Sequence, residues 1–103
     1  MNSTDSKALH QYIEEAAAAV KSASERRAHL RRRTKKGDGF RRASLESEVA
    51  KLEAAMVPIR SAIGRLAYRP VPEKVETQLR QTSKQLQAER QKLLKMLGRV
   101  PWN

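Results

Sequence analysis

A chain of 103 residues, 39% hydrophobic and only 4% aromatic, fits one small domain whose core must rest on Leu, Ile, Val, Met and alanine. It has no cysteine, which excludes disulfides and thiolate chemistry, and no apolar run of the roughly 18 residues that a membrane span needs. The formal net charge of +11 directs attention to anionic partners: nucleic acid, an anionic membrane surface or an acidic protein.

Ser3, Thr4 and Asp5 offer N-caps to a first helix expected over about 5–35. Its seam residues Leu9, Ile13, Ala16, Val20, Ala23, Arg27 and Leu30 follow the alternating 4-3 spacing of heptads, with Arg27 the charged intruder. Lys35-Lys36-Gly37-Asp38-Gly39 is the breaker, and Gly37 suits a left-handed C-cap. A second helix is expected over about 41–68, capped by Asp38 or Ser44. Its seam is wholly apolar: Leu45, Val49, Leu52, Met56, Ile59, Ile63 and Leu66. Pro58 lies inside it and removes one backbone hydrogen bond. The seam holds its register on both sides, so a kink is expected and not a break.

Pro70 and Pro72 end that helix, because each pushes the residue before it out of the α region. Pro72 then suits the first turn of a third helix over about 72–98, where Glu73 and Glu76 complement the helix dipole. Its seam is Val75, Leu79, Thr82, Leu86, Glu89, Leu93 and Met96, with two polar intruders, and Gly98 is the expected end. Residues 99–103 form a short C-terminal tail.

Three seams of similar length joined by short loops predict one all-α domain over residues 1–103: an antiparallel up-down-up three-helix bundle with coiled-coil-like heptad seams. The competing architecture is a helical hairpin that dimerises into a larger bundle. The smooth run Ala16 to Ala19 supports close approach of another helix, so both a monomer and a homodimer are open.

The charge is concentrated. Residues 26–42 hold Arg26, Arg27, Arg31, Arg32, Arg33, Lys35, Lys36, Arg41 and Arg42 against Asp38 alone. In an up-down-up bundle the end of the third helix returns to the same pole, bringing Arg90, Lys92, Lys95 and Arg99. Helix dipoles favour a base or two at each C-terminus, but not thirteen against one acid. Unscreened, such a cluster repels itself. Arginine outnumbers lysine there, and its planar fork matches phosphate. The expected function is therefore a non-enzymatic accessory protein that binds nucleic acid, DNA or RNA, through its phosphate backbone. The site residues are Arg26, Arg27, Arg31, Arg32, Arg33, Lys35, Lys36, Arg41, Arg42, Lys92, Lys95 and Arg99. The alternative is an adaptor or inhibitor presenting a helical face to a larger acidic protein. A membrane-surface role ranks third, since no exposed face is rich in leucine or aromatics.

Phe40 and Trp102 are the aromatics nearest the pole. Packing is the first reading for each, base stacking the second. Glu14, Glu15, Glu46, Glu48 and Glu53 sit off the seams and read as members of solvated pairs, such as Glu48 with Lys51. Glu89 could pair with Arg27. The first reading is that both snorkel at a loose bundle end, and a buried register-setting pair is the alternative. His10 and His29 are too far apart on one helix to share a metal. No phosphate loop, nucleophile triad or metal motif is present, no cofactor is expected, and a bundle of this size is expected to lack a pocket.

Arg41-Arg42-Ala43-Ser44 resembles a basophilic kinase site, although Ser44 is equally a helix cap. The first 20 residues lack a signal peptide's basic start and apolar stretch, so the expected compartment is the cytoplasm, or the nucleus in a eukaryote. In general type the chain is similar to small basic helical proteins of ribosomes, phages and plasmids, without a diagnostic motif.

Overall fold

The computed structural model describes the backbone of residues 3–32 and 38–98 and the side chains of residues 7–29 and 42–98. It contains three helices, α1 (Ser3–Arg32), α2 (Asp38–Gly64) and α3 (Glu73–Gly98), and no strand among the described residues. All three pack on one another in a bundle about 52 Å long.

Side-chain pairs between helices fix the direction of each. Arg42 meets Leu97 while Glu53 meets Arg90, and Ser22 meets Glu48 while Leu9 shares a cavity with Ser61 and Ala62, so α2 runs antiparallel to both neighbours. Both neighbours being antiparallel to α2, α1 and α3 are parallel, and Arg27 meets Glu89 between them. The topology is up-down-up, as the heptad spacing predicts.

The seams are the core. Leu45, Leu52, Ile59, Leu79, Leu86 and Leu93 are fully buried, all at predicted seam positions. Among the described side chains of α1 only Ala16 and Ala23 are fully covered, while Leu9, Ile13 and Val20 pack on the margin. The register explains why α1 can supply alanines. Continuing the alignment of Arg27 with Glu89 brings Ala23 and Ala16 level, to within one residue, with Leu86 and Leu79. Small side chains on one helix then face large ones on another, and the three axes come close.

The helix ends differ from expectation in informative ways. α1 already includes Ser3, so Thr4 and Asp5 fall within its first turn and are not its caps. Gly37 and the last residues of the expected first helix lie outside the described residues. α2 begins at Asp38, three residues early, which places Ser44 in the second turn and rules it out as the cap. The helix continues unbroken through Pro58 but ends at Gly64, not 68. Beyond it the chain tightens into turns, with the Leu66 N–H donating to the Ile63 carbonyl (3.1 Å) and the Tyr68 N–H to that of Arg65 (2.9 Å). The cause is Gly64, a poor helix former, followed by the Pro70–Pro72 pair. Leu66 still packs against the core from this looser segment. At the start of α3 the Pro72 carbonyl accepts from the Glu76 N–H at 3.0 Å, so a residue without an N–H stands where none is required.

Candidate nucleic-acid interface

The end of α1, the start of α2 and the end of α3 meet at one pole. Two contacts of the expected site residues draw them together. The Arg27 guanidinium donates to both oxygens of Glu89, Nε to Oε1 at 2.9 Å and Nη2 to Oε2 at 3.4 Å. The Arg42 Nη1 donates to the Leu97 carbonyl at 3.4 Å, and its Nε lies 3.1 Å from Glu46 Oε1. Arg42 thereby covers one of the carbonyls that the last turn of α3 leaves without an intrahelical partner.

These contacts redraw the site. Arg27 and Arg42 have side chains only 15% and 16% exposed. Both are engaged by contacts within the fold. The reading of Arg27 and Glu89 as two snorkelling residues at a loose end is corrected: they form a bidentate, largely buried pair on the seams of α1 and α3. Arg26 is more exposed, with its Nε 4.0 Å from Glu48. Lys92 and Lys95 are exposed on α3. Arg31, Arg32 and Arg41 lie in α1 and α2, but their side chains are outside the described residues, as is that of Phe40. Arg33, Lys35, Lys36, Arg99 and Trp102 lie wholly outside them.

The acids near this pole behave differently from expectation too. Glu48 is not a solvated surface carboxylate: it is 3% exposed. It does pair with Lys51, at 3.3 Å, but it also accepts from the Ser22 hydroxyl at 3.2 Å. Position 48 lies three residues after Leu45 and four before Leu52, on the edge of the buried stripe turned toward α1. There a carboxylate is tolerable only with several donors. Glu48 and Glu89 are therefore both held inside, their charges answered by bases of the fold. Glu25 and Glu46 remain exposed.

At the opposite pole an unexpected cavity of about 200 Å³ opens between the start of α1, the end of α2 and the linker. Small side chains, Ala8, Ser61 and Ala62, leave the space, and Leu9, Tyr12, Val71 and Leu79 give it an apolar lining with Arg65 and Arg69. No histidine or carboxylate lines it, so it offers no pair of groups for proton transfer. His10 and His29 are exposed. Among the described residues no cluster of His and acidic side chains could hold a metal, and no helix is long and apolar enough to cross a membrane. No family model matches the chain, nor does any curated protein or solved structure.

Proposed function

We propose that this protein is a non-enzymatic nucleic-acid-binding accessory protein that holds the phosphate backbone with its basic pole. One observation carries the reading. The bundle gathers at one end three segments rich in bases, while two of the acids near that end, Glu48 and Glu89, are turned inward and neutralised there. The bases that remain, Lys92 and Lys95 with Arg31, Arg32, Arg33, Lys35, Lys36, Arg41 and Arg99 of the sequence, have no comparable supply of acid nearby, and Arg26 shares Glu48 with Lys51. Duplex binding by such a surface is read from its salt dependence: the logarithm of affinity falls linearly with the logarithm of salt, with slope about −0.9 for each phosphate neutralised. Titration of duplex DNA and duplex RNA at two salt concentrations is the test. A slope steeper than about −4 is expected, and no binding at moderate salt ends the proposal.

A protein partner is the second reading, and a specific feature of α2 favours it. Ala43, Ser47, Ala50, Ala54 and Val57 repeat at 4-3 spacing on the side away from the core, and all are exposed. This face is uncharged in a chain that is 32% charged, and small side chains let a second helix come close. The double variant A50Q/A54Q keeps the charge and the helix propensity while roughening that face. Its affinity for nucleic acid is expected to stay within about twofold of the parent, since neutral side chains alter no phosphate contact. A larger loss, measured in the same titration, would place the binding surface on α2.

A further inference from the structure

The acids of α3 are unevenly placed. After Glu76 the helix carries Arg80, Lys84, Arg90, Lys92 and Lys95 against a single acid, Glu89. That acid is buried against Arg27. Seen from solvent, α3 is therefore free of acid from Thr77 to its end. At 3.6 residues per turn, Lys84, Gln91 and Lys95 fall opposite the buried stripe of Leu79, Leu86 and Leu93, with Arg80 and Gln87 on the flank beside them, and all five are exposed. The outer face of α1 is different, mixing Lys7 and Lys21 with Glu14, Glu15 and Glu25, and the outer face of α2 is the uncharged stripe described above.

α2 adds one base to this surface. Arg60 lines a shallow depression between α2 and α3 together with Lys84, Gln87 and Gln91. The acid at its edge, Glu53, is occupied by Arg90 at 3.3 Å. Arg60 and Lys84 thus stand as two cations facing one groove, with glutamine amides between them as further hydrogen-bond donors. No aromatic residue occurs between Tyr68 and Trp102. Single strands are held largely by stacking on aromatic side chains, which this face lacks. A straight helix with bases along its axis and no stacking platform suits the fixed phosphate rows of a duplex, recognised by shape.

We propose that Arg60 and Lys84, with Gln87 and Gln91, form a second phosphate-contacting surface that continues from Lys95 of the basic pole, so that the protein lies lengthwise along a nucleic acid duplex. The proposal rests on the nucleic-acid reading above. Across the pole the bundle measures only about 18 Å, a contact of about five base pairs at about 3.4 Å each. The stretch from Lys84 to Lys95 adds about 17 Å, so the footprint roughly doubles.

Two double variants test it. R60E/K84E and K7E/K21E each lower the net charge by four units at exposed positions, the first pair within the surface and the second on α1. Circular dichroism checks that both keep the parent's helix content. R60Q/K84Q repeats the first at smaller amplitude without introducing acids. Binding is measured to duplex DNA, duplex RNA and a single strand of the same length, at two salt concentrations. R60E/K84E is expected to bind either duplex about 10-fold more weakly than the parent, with a salt slope shallower by about 2, and K7E/K21E to change by less than about threefold. The parent is expected to prefer duplex over single strand. Equal losses from the two variants, or a preference for the single strand, would overturn the second surface while leaving the basic pole as a nucleic-acid site. A parent that binds none of the three ligands would overturn both.

Discussion

Replacing Glu89 with alanine is expected to destabilise the bundle by about 3 kcal/mol and to lower its melting temperature by roughly 15 °C. Glu89 is 5% exposed and receives two hydrogen bonds from Arg27, whose own side chain is 15% exposed. Removing the carboxylate leaves a guanidinium among apolar seams with no acceptor. The usual cost of breaking a buried pair in this way is about 3–5 kcal/mol. The low end applies here, because Arg27 lies near the end of the bundle and its aliphatic stem lets the charged group lean toward water. The pair as a whole is a different matter. Two charges taken out of water gain little over well-packed hydrocarbon, so R27M/E89L should be as stable as the parent or more so. The coupling energy from the complete cycle of R27M, E89L and the double variant separates the two effects. Thermal melts in which E89A stays within a few degrees of the parent, or a coupling near zero, would show that the pair adds nothing.

What the pair contributes beyond stability is alignment. α1 and α3 are parallel, and one heptad of slip would still bring apolar residues opposite one another. It would not bring Arg27 opposite Glu89. The polar intruders on the first and third seams are matched to each other, as a buried Asn is matched in a coiled coil to fix register.

Much of this architecture was legible in the sequence because heptad spacing reports directly on which residues face inward. Every fully buried Leu and Ile, from Leu45 to Leu93, sits at a position that the spacing singles out. Helix ends were less legible, since local caps compete with tertiary packing: Ser44 has the chemistry of a cap but lies inside α2, and Gly64 ends a helix whose apolar pattern continues to Leu66. Glu48 is buried, against its expected place in a solvated pair, for a related reason. A strict seam of alternating 4-3 spacing is narrower than the stripe a helix buries when it has two neighbours, and position 48 falls in the difference. The stripe Leu45, Glu48, Val49, Leu52 carried that signal in its i, i+3, i+4, i+7 spacing. Nothing in the sequence marked Arg42 as a cap for α3 or placed Arg60 beside Lys84. Both follow from register between helices, which linear order does not reveal. The cavity beside Tyr12 leaves no mark in the sequence because it arises from small residues, Ala8, Ser61 and Ala62, that read individually as ordinary helix formers or surface positions.

Replacing Arg31, Arg32 and Arg33 together with glutamate is expected to weaken nucleic-acid binding at least 100-fold at about 0.1 M salt and to make the salt slope shallower by about 2.7, three contacts at about 0.9 each. Arg31 and Arg32 close α1 at the pole where α2 begins and α3 ends, and Arg33 follows them in sequence. The comparison is with K7E/K21E/K74E, in which three exposed lysines away from that pole are replaced. Lys51 is unsuitable for the control, because it pairs with the buried Glu48 and its loss would disturb the fold. Both triple variants change the net charge from +11 to +5, so a diffuse field acting at long range would respond to either in a similar way. A local phosphate site responds only to the first, because screening at this salt confines each charge to about 10 Å. Removing bases from the last turn of α1 also forfeits their interaction with the helix dipole, at most about 1 kcal/mol each when exposed. Melting should therefore shift by several degrees while helix content at 25 °C is kept. Equal affinities for the two variants, each close to the parent's, would show that the arginine cluster does not contact phosphate. The uncharged outer face of α2 would then become the surface to pursue, with a partner helix as its ligand.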